Sequence, residues 1–187
     1  MNAKIVILFL LIIQACTPDR SFELPGPVAP VGGSDNILPG TLRINEFMAS
    51  GSTFVNELDA SGTDWLEIYN TTTDTIWLEE DKWFLTDSLA DPLAFELPDT
   101  MILPNNFLIV WCDGFDTTIT QIHANFGLSK DGEDIGLTYL LNDSSSVTVD
   151  SHTFSAQTNG VAMARFPDGS ANWVFTTNPT PQQPNQE

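Results

Sequence analysis

Basic residues are scarce in this chain of 187: 6 lysines and arginines stand against 25 aspartates and glutamates, a formal net charge of −19. The six (Lys4, Arg20, Arg43, Lys82, Lys130, Arg165) are scattered singly. Polyanions are held by clustered cations, so the sequence argues against a nucleic-acid partner and against direct binding to anionic headgroups. Histidine is equally sparse, with only His123 and His152. Hydrolysis by a nucleophile needs a base and a group to orient it. Here no Gly-x-Ser-x-Gly elbow is present, and Ser129 beside Lys130 lacks the Ser-x-x-Lys spacing. Neither Cys-x-x-Cys nor His-x-x-x-His occurs, which leaves no pattern for a transition metal. The expectation is a protein without catalytic residues, cofactor or metal. His123 reads as a packing or hydrogen-bonding residue and His152, in an alternating segment, as a surface or interface residue. Cysteine appears twice: Cys16 ends an apolar run and Cys112 lies in a strand-like one. The two do not suit a disulfide, so the fold must hold by core burial. Sustained helical periodicity is missing as well, which excludes helical bundles and α/β layers.

What is present divides the chain into three. Lys4 precedes nine uninterrupted apolar residues, Ile5 to Ile13, and then Gln14, Ala15 and Cys16. Nine helical residues reach roughly 14 Å, about half a hydrocarbon core, so the run is a secretory signal rather than a span. Ile13-Gln14-Ala15-Cys16 resembles the lipobox of bacterial lipoproteins. That resemblance implies acylation of the Cys16 thiol and cleavage before it, leaving residues 1–15 as the signal peptide. Multiple acyl chains hold a protein durably on a membrane, so the expected location is the bacterial cell envelope, most naturally the outer membrane. Residues 16–40 hold Pro18, Pro25, Pro27, Pro30 and Pro39 with four glycines. Such a segment lacks the donors and the periodicity of a packed element and reads as a disordered tether with a reach of roughly 70 Å.

From residue 41 to 187 the reading is one all-β domain. Leu42-Arg43-Ile44-Asn45-Glu46-Phe47 alternates, as does Asp64-Trp65-Leu66-Glu67-Ile68-Tyr69-Asn70, with Leu66 and Ile68 on one side and Trp65, Glu67 and Tyr69 on the other. Lys82-Trp83-Phe84-Leu85 is a short strand. Phe107-Leu108-Ile109-Val110-Trp111-Cys112 is continuously apolar, as a strand covered on both faces should be. Residues 134–141 and 147–154 add two more, with Val147 and Val149 facing together. Turn signals such as Pro104-Asn105-Asn106, Asp131-Gly132 and Pro167-Asp168-Gly169 separate them. Many short strands with regular punctuation predict an antiparallel β-sandwich.

These segments carry a resemblance in chain order. Ile44-Asn45-Glu46-Phe47-Met48-Ala49-Ser50, Asp64 to Asn70, Phe107 to Trp111, His123-Ala124-Asn125-Phe126-Gly127-Leu128-Ser129-Lys130-Asp131-Gly132-Glu133, Arg165-Phe166-Pro167-Asp168-Gly169 with Trp173, and the exit Pro179-Thr180-Pro181 resemble the lamin tail domain in its bacterial form. The resemblance implies an immunoglobulin-like β-sandwich that binds or scaffolds and has no chemistry of its own. The expected partners are the membrane, through Cys16, and another protein or a surface glycan.

Three further groups qualify as candidates. Glu57-Leu58-Asp59-Ala60-Ser61-Gly62-Thr63-Asp64 sets oxygen ligands around a glycine, which suits weak calcium binding at best because the EF-hand spacing is absent. Trp65, Trp77, Trp83, Trp111 and Trp173 read mainly as core, while an exposed one beside carboxylates could stack on a sugar. Arg43 and Arg165 are expected to pair inside the domain with carboxylates such as Glu46 or Glu67, as structural ties rather than ligand contacts. The function expected is a non-catalytic binding, adhesion or scaffolding module, with a ligand-binding surface receptor as the alternative and a carboxylate-pair hydrolase behind it. Cys16→Ala should abolish acylation and release the protein from the detergent phase. Metabolic labelling with a fatty acid reads this directly, and undiminished label in the variant would remove Cys16 as the anchor.

Overall fold

A computed structural model of the chain describes residues 39–55, 62–117 and 120–186. Cys16, the signal segment, the tether up to residue 38 and residues 56–61 of the acidic loop lie outside the described residues. Within them there is no helix, and the strands are β1 (Leu42–Met48), β2 (Trp65–Asn70), β3 (Ile76–Leu78), β4 (Trp83–Thr86), β5 (Phe95–Glu96), β6 (Thr100–Ile102), β7 (Phe107–Cys112), β8 (His123–Ala124), β9 (Gly132–Leu140), β10 (Ser146–Ser155), β11 (Ala162–Arg165) and β12 (Trp173–Thr176). The larger sheet runs β12-β11-β1-β2-β7-β8 and the smaller β10-β9-β4-β5, with β3 and β6 as a separate ribbon. The protein is an immunoglobulin-like β-sandwich. All pairings are antiparallel except β7 with the short β8, which run parallel.

Alternation decides which side chains enter the core. Leu66 and Ile68 of β2 and Val110 and Cys112 of β7 face the smaller sheet, where they meet Leu85, Leu137 and other apolar groups. Trp65, Ile109 and Trp111 project from the opposite face and form a second cluster with Met48 and Ala162, covered by Phe54. The unbroken apolar run of β7 is thus apolar because both of its faces are buried.

Two β-bulges shift this pattern. In β1, Ile44 opposes Ile68 and Glu46 opposes Glu67, so Asn45 is the extra residue. Phe47 rather than Glu46 therefore follows Leu42 and Ile44 into the core. In β10 the extra residue is Val149, between Thr148 and Asp150. Val147 and Val149 accordingly do not share one environment: Val149 is buried while Val147 is partly exposed, and Asp150 is buried beside it.

Asp150 is the anion that both arginines find. Arg165 Nη2 lies 3.0 Å from Asp150 Oδ2, and Arg43 Nη1 lies 3.0 Å from Oδ1. The expected partners Glu46 and Glu67 are not used, and register explains why. Glu46 sits opposite Ala164, so Ala164 shares its outer face and the next residue, Arg165, points inward. There it meets β10 of the facing sheet. Register partners of β1 on β11 are confined to Glu46 and Phe47, and side chains fill the vacant edge. The Ile44 amide donates to Asp150 Oδ2 at 2.9 Å, and Arg165 Nε donates to the Ile44 carbonyl at 2.8 Å. Arg165 Nη1 also donates to the Ser170 carbonyl, and its guanidinium lies 4.4 Å over the Trp173 ring.

The segment from His123 to Glu133 closes one end of the core. Phe126 and Leu128 are buried, Asn125 donates to the Ala94 carbonyl, and the Ser129 amide donates to Glu133. Gly132 turns the chain into β9 with φ of 101°, and a Cβ there would stand 2.6 Å from the Phe154 carbonyl. At the other end Gly40, read with the tether, is tied to the domain: its amide donates to Val149 and its carbonyl accepts from Thr71.

Removing one partner of a buried ion pair strands the other charge. Asp150→Ala should therefore cost about 3–5 kcal/mol in a urea titration. Arg43→Ala, whose side chain is 31% exposed, should cost under about 1 kcal/mol. Equal losses from both would contradict this account of the pair.

Candidate functional site

The outer face of the larger sheet carries the arrangement of greatest chemical interest. Glu46 and Glu67 are direct cross-strand partners and both are 0% exposed. Opposed residues of this kind have Cβ atoms about 5 Å apart, so like charges there repel. Among the described residues neither forms an ion pair, because Arg43 and Arg165 are engaged with Asp150. Their partners are hydrogen-bond donors. The Thr180 amide donates to Glu46 Oε2 at 3.0 Å, and the Thr180 hydroxyl donates to the same oxygen at 3.3 Å. The Gln182 amide donates to Glu67 Oε2 at 2.5 Å. Asn45, freed from the ladder by the bulge, donates through Nδ2 to Asp168 at 2.9 Å and lies 3.5 Å from Glu67 Oε1. The Asn185 amide donates to Asp168, and its side chain donates to the Arg165 carbonyl at 2.8 Å.

Burial is the main force on these carboxyls. It pushes Glu46 up to about 7, opposed by the bonds from Thr180 and assisted by the charge of Asp168. It pushes Glu67 up to about 8, opposed by the Gln182 amide and assisted by Glu46 and Asp168. The result is a pair of weak acids sealed beneath the C-terminal segment.

Beside them lies a groove of about 440 Å³ on the outer face of β7. Phe54, Phe107, Trp111 and Ile122 line it, with Gln121 and Gln182 among its polar groups, and among the described residues no ionisable side chain contributes. Phe107 stacks on Tyr69 with ring centroids 4.9 Å apart. Both rings are half-buried.

The residues singled out from sequence fall in separate places. His123 on β8 is fully buried, its Nδ1 2.7 Å from Asp113 Oδ2, while His152 is on β10 in the other sheet. His152 is not a plain surface residue: it is half-buried and stacks on Trp173 at 4.3 Å, and burial and the neighbouring Arg165 hold its imidazole below the ordinary value. Cys112 is buried and free, and burial with surrounding carboxylates raises its thiol well above the ordinary range. Ser129 and Lys130 occupy the turn before β9, where their carbonyls accept from Gly132 and Gln157. Asp64, the described end of the acidic loop, is half-buried and pushed up to about 6 by burial, partly offset by the Leu128 amide. Trp65, Trp83 and Trp111 are core residues, whereas Trp77 and Trp173 are half-buried. The Glu46–Glu67 pair was not legible as a site. The signal for it is Glu67 between Trp65 and Tyr69 on one strand face, a face too apolar to be left in water. No protein-family model matches the chain, and no curated protein sequence matches it significantly.

The sign of the pH dependence follows from the raised carboxyls. The folded state keeps two protons that the unfolded chain, with ordinary values near 4.5, releases. Their stabilisation is complete in acid and is lost as pH rises, with a slope of about 1.4 kcal/mol per pH unit for each proton in the interval from about pH 5 to 7. It levels off above about pH 8. Asp64 adds to the acid end of that interval. Guanidinium titrations across this range should show the decline, and Glu46→Gln with Glu67→Gln should flatten it.

Proposed function

We propose that the chain is a lipid-anchored protein of the bacterial envelope, held through acylated Cys16, that presents a lamin tail-like sandwich as a non-catalytic binding, adhesion or scaffolding module. The observation that carries this reading is the state of the side chains catalysis would require. His123 is buried on Asp113, His152 is stacked on Trp173, and the carboxylate pair is sealed under the C-terminal segment. The immunoglobulin-like sandwich, with the segments that carry the resemblance forming β1, β2 and β7, supports it further.

A second reading, a receptor for an uncharged ligand such as a neutral glycan, is favoured by the groove on β7. Its aromatic and amide lining, free of ionisable groups among the described residues, contrasts with the acidity of the whole chain. Crosslinking at the native cell surface separates the two: a protein partner retained in Phe107→Ala supports the first, and a glycan signal weakened about two- to tenfold by that variant supports the second. Purified protein should turn over no ester, peptide, glycan or nucleic-acid substrate. Hydrolysis abolished by Glu67→Gln would replace both readings with an enzyme.

A further inference from the structure

The C-terminal segment, residues 178–186, is bound to the domain in an unusual way. Pro179, Pro181 and Pro184 lack amide hydrogens, so the segment cannot add a strand to the sheet. The alternation Pro-Thr-Pro-Gln instead offers an amide at every second residue. Three amides of this segment reach the sandwich, and each ends on a carboxylate: Thr180 on Glu46, Gln182 on Glu67 and Asn185 on Asp168. The Asn185 side chain makes a different kind of bond, to the main-chain carbonyls of Arg165 and Asn45. Those acceptors do not titrate.

From this geometry we infer that the C-terminal segment is a proton-latched strap, closed over the outer face while Glu46 and Glu67 are protonated and lifting at Thr180 and Gln182 once both ionise, with Asn185 as the retained end. The inference goes beyond the reading of the protein as a binding module.

Two effects compete when the carboxyls ionise. An amide bond to a carboxylate is stronger than one to a carboxylic acid, which favours the closed strap. Against it stand the loss of hydration of two adjacent charges and their mutual repulsion. The groups facing the pair settle the balance. From β1 and β2 the titratable groups are Glu46, Glu67 and Tyr69, with Arg43, the register partner of Tyr69, turned away to Asp150; the turn between β11 and β12 contributes Asp168; β11 places Ala164 opposite; β7 sets Ile109 opposite Glu67; and the described strap residues are uncharged. No cation faces the pair among the described residues, so two buried anions are relieved only by water, and lifting the strap admits it. The raised proton affinities of both carboxyls place the release in the mildly alkaline range. Gln182 also lines the groove on β7, so the released strap would extend that groove towards β2.

Hydrogen exchange on the full chain in detergent tests this. After correction for base-catalysed intrinsic exchange, protection of the Thr180 and Gln182 amides should fall about tenfold or more between about pH 6.5 and pH 9, while the β2 and β7 amides hold. Glu46→Gln with Glu67→Gln keeps an acceptor oxygen at each site without the charge, and its strap protection should stay level. Wild-type protection that is constant with pH overturns the latch, as does loss shared equally by β2 and β7, which would mean global unfolding. A double variant that loses protection as wild type does would also overturn it.

Discussion

The contact between Asp150 and Arg165 joins the two sheets where neither could close by strand pairing alone. β1 has register partners on β11 only at Glu46 and Phe47, so its earlier residues would leave main-chain groups without partners in a buried place. The ion pair supplies both halves of the missing ladder: a carboxylate oxygen takes the Ile44 amide and the guanidinium nitrogen takes the Ile44 carbonyl. An unsatisfied buried amide is costly, and a charged partner is the stronger remedy. Because Asp150 belongs to the smaller sheet and Arg165 to the larger, the same bonds that satisfy an edge also fix how the layers sit. Trp173 adds the third side, with Arg165 over its ring and His152 stacked on it.

The bulge at Asn45 has consequences on both faces of the larger sheet. On the inner face it turns Phe47 toward Phe154 and Trp173, with centroids 4.6 and 5.7 Å away. On the outer face it places Glu46 opposite Glu67 and frees the Asn45 side chain to bind the Asp168 turn, where Nδ2 reaches Asp168 and Oδ1 takes the Gly169 amide. One inserted residue thereby produces an aromatic core contact and a buried acidic pair. The C-terminal segment covers that pair and so does what a second layer does for an ordinary sheet face.

How much of this could be read in the sequence depended on whether the signal was local. The alternation of 42–47 and 64–70, the apolar run of 107–112 and the turn residues between them are local, and they led to the strands and to the sandwich. β3, β5, β6 and β8 are two or three residues long, too short for a period of two to register. Register shifts are not local. The Asn45 bulge is invisible without the partner strand, and it is what sent Glu46 outward and made the expected pairing with the arginines impossible. The same holds for Val149, whose bulge separated it from Val147. The acidic pair was hidden for a further reason: among 25 acidic residues, composition cannot distinguish the two that are buried from the many that water solvates. Pro179-Thr180-Pro181 read as an exit from the domain, and the amides of Thr180 and of the following Gln182 bind back to the sheet.

Scarcity of positive charge links the two acidic clusters. The domain has four basic residues, Arg43, Lys82, Lys130 and Arg165. Both arginines bind Asp150, and Lys82 reaches Asn142. Asp150 stands at a structural joint with two guanidinium groups held against its carboxylate. Glu46 and Glu67 lie on the outer face of the larger sheet, away from that joint, and no guanidinium group remains for them among the described residues. A buried carboxylate without a cation keeps its proton instead. In this protein the proton takes the place that an arginine holds at Asp150. That proton leaves when the pH rises. The joint between the sheets thus rests on an ion pair, while the cover over the outer face rests on two carboxyls whose protons leave in mild alkali.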